Sequence, residues 1–123
     1  LSKTDFVYPS SCVTSSRAFI RAEPKLTEDF LRAYVAAIEL IKKDPQVGEK
    51  SFSKWLREKD SSIIKRSVAA YARLFKAAPF VPDKGIDNVV RDLVRKRPEF
   101  KEYLGWPGPF RENGPLERAL REK

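Results

Sequence analysis

The chain has no His, no Met, a single Cys and five Gly among its 123 residues. Each scarcity removes a class of chemistry. Without His there is no Ser-His-Asp or Cys-His catalysis, no His-ligated zinc and no imidazole pH switch. One Cys forms neither an intrachain disulfide nor a thiolate metal cluster. No Gly precedes Gly48, so the first third lacks a Gly-rich phosphate cradle. No stretch approaches the roughly 18 consecutive apolar residues that read as a membrane span. Leu1–Asp5 is not a secretory signal, because no apolar run follows a basic start.

What remains is the composition of a globular domain, 41% hydrophobic and 34% charged. The length suits one domain or part of one, with enough surface buried on folding to form a core. Net charge is +8, and it is unevenly distributed. Residues 45–78 hold eight basic and three acidic groups, a net +5, whereas residues 1–44 and 79–123 carry +1 and +2. Such a basic middle attracts nucleic acid or an anionic membrane, or is simply a solvated helical face.

Phe6–Thr14 reads as extended: Phe6, Val7, Tyr8, Cys12 and Val13 favour β structure, and Pro9 makes it an edge or crossing strand. A lone strand leaves its backbone groups unpaired and needs a partner strand. From Pro24 the period becomes helical. Leu26, Phe30, Leu31, Tyr34, Val35, Ile38 and Ile41 recur at spacings of three and four, giving a first helix that ends near Lys43. Asp44 and Pro45 serve as N-cap and first residue of a second helix to about Glu58, with Val47, Phe52, Trp55 and Leu56 inward. Asp60 caps a third helix to about Ala78, with Ile63, Ile64, Val68, Tyr71, Ala72, Leu74 and Phe75 inward. Pro79 and Pro82 force an extended link. A fourth helix runs from about Lys84 to Lys96, and Pro98 opens a short helical turn. Gly105 to Pro115 reads as an irregular loop, and Leu116 to Arg121 as a last, fraying helix. The expected segments are 1–22, a strand and the lead-in to the first helix; 23–97, helical; and 98–123, an irregular tail with short helices.

The stretch Cys12-Val13-Thr14 through Glu23-Pro24, followed by Phe30, Ala33, Ala37, Ile38, Asp44 and Pro45, resembles the C-terminal part of solute-binding proteins of ABC importers. The likeness is to the nitrate, sulfonate and taurine type and the related thiamine-pyrimidine-precursor binders. In that family a strand with a V-T pattern precedes a helix opened through Pro. The helix carries F-x-x-A-x-x-x-A-I, and D-P opens the next one. Pro79-Phe80-Val81-Pro82, with Gly85-Ile86 and Val89-Val90, resembles the family's last proline-rich link and long helix. The likeness covers about residues 7–94, and from Glu99 onward no family pattern is found.

The resemblance implies a mainly α chain, one N-terminal strand plus four to six helices, that is a piece of a two-lobed α/β fold of periplasmic-binding-protein type 2. It implies capture of a small anionic or heterocyclic solute outside the cytoplasmic membrane and delivery to an ABC permease. It implies no cofactor, no metal, no nucleic acid and no catalysis. Since the ligand of such proteins lies near crossing strands and helix N-termini, Tyr8, Ser10 and Ser11 are the candidate ligand-binding residues, offering an aromatic wall and hydroxyl donors; the competing reading is turn chemistry after Pro9. Apolar helix faces left uncovered in such a piece favour a homodimer. The alternative is a small basic helical domain that binds nucleic acid or protein, with Lys50, Lys54, Arg57, Lys59, Lys65, Arg66 and Arg73 on phosphates. Cys12, with no His to activate it, reads as a buried inert thiol. Arg17 and Arg21 read as surface charges and Trp55 as core, while Trp106 is placed to pin the tail.

Overall fold

A computed structural model describes residues 7–9 and 11–121, and among these the chain is mainly helical. The order is α1 (Arg17–Ala22), α2 (Pro24–Lys43), α3 (Pro45–Leu56), α4 (Ser61–Leu74), α5 (Asp83–Lys96), two 3-10 turns (Pro98–Tyr103 and Gly108–Phe110) and α6 (Gly114–Arg121). The chain groups into two compact units. One is Lys25–Pro79; the other joins the described residues up to Pro24 with those from Phe80 onward.

The caps follow the sequence. Asp44 accepts from the Gln46 N–H at 3.1 Å, with Pro45 in the first turn of α3. Asp60 accepts from the Ser62 and Ile63 N–H groups at 2.8 and 3.2 Å, and α4 starts there. These bonds satisfy donors that a helix start leaves open. The ends of α3 and α4 fall short of the sequence expectation. α3 stops at Leu56 because Arg57 adopts a left-handed φ of 56°. α4 stops at Leu74, with the Phe75 N–H closing on Tyr71 O at 2.9 Å, ahead of the proline link. α1 is a helix the hydrophobic period does not announce; its signal is Ser16, whose hydroxyl accepts from the Phe19 N–H at 3.0 Å.

The expected strand over Phe6–Thr14 is not found among the described residues of that span, 7–9 and 11–14. Phe6 and Ser10 lie outside the described residues. Val7 O accepts instead from the Asn88 side-chain amide at 2.8 Å, and Pro9 has no N–H to offer a ladder. A side chain on α5 thus takes the place a partner strand would fill.

In the Lys25–Pro79 unit the buried apolar residues are Val35, Ile38, Ile64 and Val68, with Gly48 buried beside them. α3 packs on α4 through Gly48, where an added Cβ would stand 2.9 Å from Val68 Cγ1. Phe52, Tyr71 and Phe75 continue this contact as a run of rings 5.6–5.7 Å apart. Lys42 closes the far end of α4 by donating to Ala72 O at 2.6 Å. Several residues expected inward are exposed: Leu26 and Phe30 on α2, Trp55 and Leu56 on α3, Ile63, Tyr71 and Leu74 on α4. Helical spacing places apolar side chains on stripes, and only one stripe of each helix meets a neighbour here.

The other unit is built on α5 and α6. Val90, Leu116 and Ala119 are buried, as are Gly85 and Pro115. The C-terminal segment read as a loose tail therefore supplies part of this unit's core.

Candidate functional site

Of the residues singled out from the sequence, Tyr8 and Ser11 belong to the segment whose Val7 and Pro9 approach the first turn of α5. Gly85 makes the approach feasible: a Cβ there would lie 3.2 Å from Pro9 Cδ and 3.5 Å from Val7 Cγ1. Val7 and Pro9 are half-buried against α5, and Tyr8 between them is exposed, as alternation along an extended segment requires. Ser11 is exposed in a bend. Ser10 lies outside the described residues, so its placement beside Tyr8 and Ser11 is not part of this geometry. Cys12, expected to be buried, is exposed, with its thiol 3.5 Å from Pro9 O. A short extended segment has only one side to bury, and α5 takes Val7 and Pro9.

The remainder of this unit is held by polar contacts the sequence reading did not anticipate. Arg17 is a surface charge, as read from the sequence, but its guanidinium is also engaged. Its guanidinium donates to the carbonyls of Gly108, Pro109 and Arg111 at 2.7, 3.2 and 3.3 Å and pairs with Glu112 at 3.2 Å. This planar fork gathers the carbonyls of one turn, which a lysine would not match. Asn113 completes the frame: its amide donates to Val81 O at 3.3 Å, and its carbonyl accepts from the Val81 N–H at 3.2 Å. Arg111 Nε stands 2.6 Å from Asp83 Oδ1 as an ion pair, without the alignment of a hydrogen bond.

Trp106 does pin its loop, stacking on Tyr103 at 5.9 Å, while Phe110 meets the same ring edge-on at 5.1 Å. The turn between them needs Gly105, whose φ is +72°. Asp87 on α5 accepts from the Gly105 N–H at 2.9 Å and from Arg91 Nε at 2.8 Å. The Arg91 hydrogen bond, and next the Gly105 N–H, hold the Asp87 carboxyl below its ordinary range.

A pH effect follows from that shift. A carboxylate with a folded pKa below its unfolded one contributes stability above the unfolded value, near pH 4, and loses it as pH falls through the folded value. An Asp87→Asn variant lacks this contribution. Its melting temperature should lie below that of the parent at neutral pH, and the gap should close as the pH is lowered beneath about 4. A gap of equal size at every pH excludes the role of the Asp87 charge.

Among the described residues no group of three or more His, Cys, Asp or Glu is placed to hold a metal ion. Among the described residues no helix is long and apolar enough to cross a membrane. Comparison with protein-family models, with curated proteins and with solved structures finds nothing that matches this chain.

Proposed function

We propose that this chain is the C-terminal, helical part of an extracytoplasmic solute-binding protein, one that captures a small anionic or heterocyclic solute for an ABC permease. The observation that carries the reading is a second apolar stripe on α2. Leu26, Phe30, Ala33, Ala37 and Leu40 succeed one another at steps of four, three, four and three residues, and all are exposed. The buried stripe, Val35 and Ile38, lies on the other side of the same helix. Phe30, Ala33 and Ala37 are also among the residues on which the family resemblance rests. Small side chains between two large ones suit close packing against another layer. In the proposed protein that layer is the β-sheet of a two-lobed α/β fold.

The same reading accounts for the N-terminal segment that lies against α5. Given partner strands, the segment from Val7 to Thr14 becomes the crossing strand, since only a ladder satisfies an extended backbone away from water. Tyr8, Ser10 and Ser11 then line the solute cleft. Delivery to the permease and a location outside the cytoplasmic membrane belong to the proposal on the strength of the family resemblance.

The uncovered stripe is tested on the chain itself. The 14.1 kDa chain should enhance the fluorescence of an anilinonaphthalene sulfonate dye and associate in light-scattering measurements. Leu26→Lys with Phe30→Lys should abolish the association and weaken the dye signal. A monomer that leaves the dye dark would sink the reading, as would a reading frame upstream of Leu1 without alternating strand and helix patterns.

A further inference from the structure

The solvent side of α4 carries an inference independent of the solute-binding reading, because it involves neither the apolar stripe of α2 nor the segment from Val7 to Thr14. Ser62, Lys65, Arg66, Ala69 and Arg73 succeed one another at steps of three, one, three and four residues. That spacing puts them on one stripe of the helix, and all five are exposed. The buried residues of α4, Ile64 and Val68, lie off that stripe. No acidic residue occurs between Asp60 and Asp83, so residues 61–82 hold four basic groups and no acidic one, a net +4. Glu58 and Asp60 keep their charge at the helix entry. With them and Lys59 counted, residues 58–82 hold five basic and two acidic groups and still carry +3.

Hydrogen bonds place the charges along the stripe. Arg66 Nε donates to Ser62 O at 3.3 Å, and Arg73 Nε donates to Ala69 O at 3.2 Å. Each guanidinium is thus drawn back over the stripe by its inner nitrogen, and the arrangement repeats after seven residues, about 10 Å along the axis. Tertiary packing adds a further cation: Lys42 of α2 donates to Ala72 O at 2.6 Å, and Ala72 lies three residues past Ala69. Among the described residues none of Lys42, Lys65, Arg66 and Arg73 forms an ion pair. Lys65, Arg66 and Arg73 are among the phosphate contacts offered by the sequence; Lys42 joins them only through the packing of α2 on α4.

We propose that this stripe binds the phosphodiester backbone of a nucleic-acid duplex without reading its sequence. A small anion meets one or two of these cations. A row about 16 Å long, from Ser62 to Arg73, matches a polyanion whose charges recur along its length. The planar forks of Arg66 and Arg73 suit phosphate oxygens, and holding Nε in advance lowers the cost of ordering them. Ala69, between the forks, lets a backbone come close to the helix. The stripe has no apolar side chain larger than alanine, so a lipid surface gains no burial from it. The exposed Ile63 and Leu74 stand about 100° round the helix from its centre. A second copy of the chain would meet it with the same charge.

The test uses the whole chain and a fluorescent duplex of mixed sequence, about two helical turns long, followed by anisotropy. The parent should bind at low salt, with a log–log salt slope of about −3.6, four cations at about 0.9 each. Lys65→Gln, Arg66→Gln and Arg73→Gln combined should lower affinity about a hundred-fold and flatten the slope to about −1. Lys84→Gln, Lys96→Gln and Lys101→Gln remove the same charge from exposed positions of the other unit. They should change affinity by less than about three-fold. A parent that leaves the duplex unbound at low salt overturns the proposal whatever the variants do. Equal losses in the two triple variants overturn it, since net charge alone would then act. So does binding to phosphatidylglycerol vesicles or to polyglutamate as tight as binding to the duplex.

Discussion

Ile38→Ala should lower the unfolding free energy by about 3 kcal/mol, whereas Phe30→Ala should change it by less than about 0.5 kcal/mol. Both residues are apolar and both fit the helical period of α2, yet Ile38 is 3% exposed and Phe30 is 52% exposed. Truncating Ile38 removes three carbons from a closed core shared with Val35, and the neighbours cannot collapse fully into the gap. Truncating Phe30 removes a ring that stands largely in water, 6.3 Å from the Tyr34 ring. Urea titration followed by circular dichroism measures both values. Equal losses at the two positions would mean that the α2 stripe is covered in solution. Such a result under monomeric conditions would contradict the arrangement of the helix described above.

Gly48→Val should cost about 3 kcal/mol, and Gly48→Ala about 1 kcal/mol, although alanine is the better helix former. The opposition is steric. A Cβ at Gly48 would stand 2.9 Å from Val68 Cγ1 and 3.4 Å from Ile41 Cγ2. Val68 is fully buried, and a β-branched side chain on a helix has one strongly preferred rotamer, so it has little room to yield. The helix propensity gained by replacing Gly, about 1 kcal/mol, offsets part of the overlap for Ala. Valine adds two further carbons in the same place. A stabilised Gly48→Ala variant would show that α3 and α4 slide apart at little cost.

Helix positions were legible in the sequence because their signals are local. Asp44, Pro45, Asp60 and the prolines at 79, 82 and 98 act on neighbours within four residues, and each marks a boundary near the one observed. Ser16 is an equally local signal for α1, set against preceding residues that favour β structure. The orientation of the helices was not legible in the same way. α2 has two apolar stripes, and periodicity ranks neither above the other. Trp55 and Leu56 follow the inward spacing of Phe52, but α3 ends there and no part of α4 covers them.

The candidate site was legible only as chemistry. The sequence offers Tyr8, Ser10 and Ser11 as an aromatic wall and hydroxyl donors; that Val7 and Pro9 are the residues held against α5 depends on Gly85 and Asn88, more than seventy positions away. The same distance in sequence conceals the role of Arg17, whose acceptors are carbonyls that every residue possesses. The fate of residues 98–121 was hidden for a related reason. Pro and Gly between 105 and 115 announce irregular backbone correctly, yet they say nothing of whether Leu116 and Ala119 return to a core.

By itself the sequence determined a mainly helical chain, with a basic middle and without imidazole chemistry, since caps, breakers, net charge and missing residue types require no knowledge of the fold. Only the tertiary structure decided which apolar stripe is core, which charges turn to backbone and which face solvent, because burial is a property of what lies opposite a side chain and not of the side chain itself.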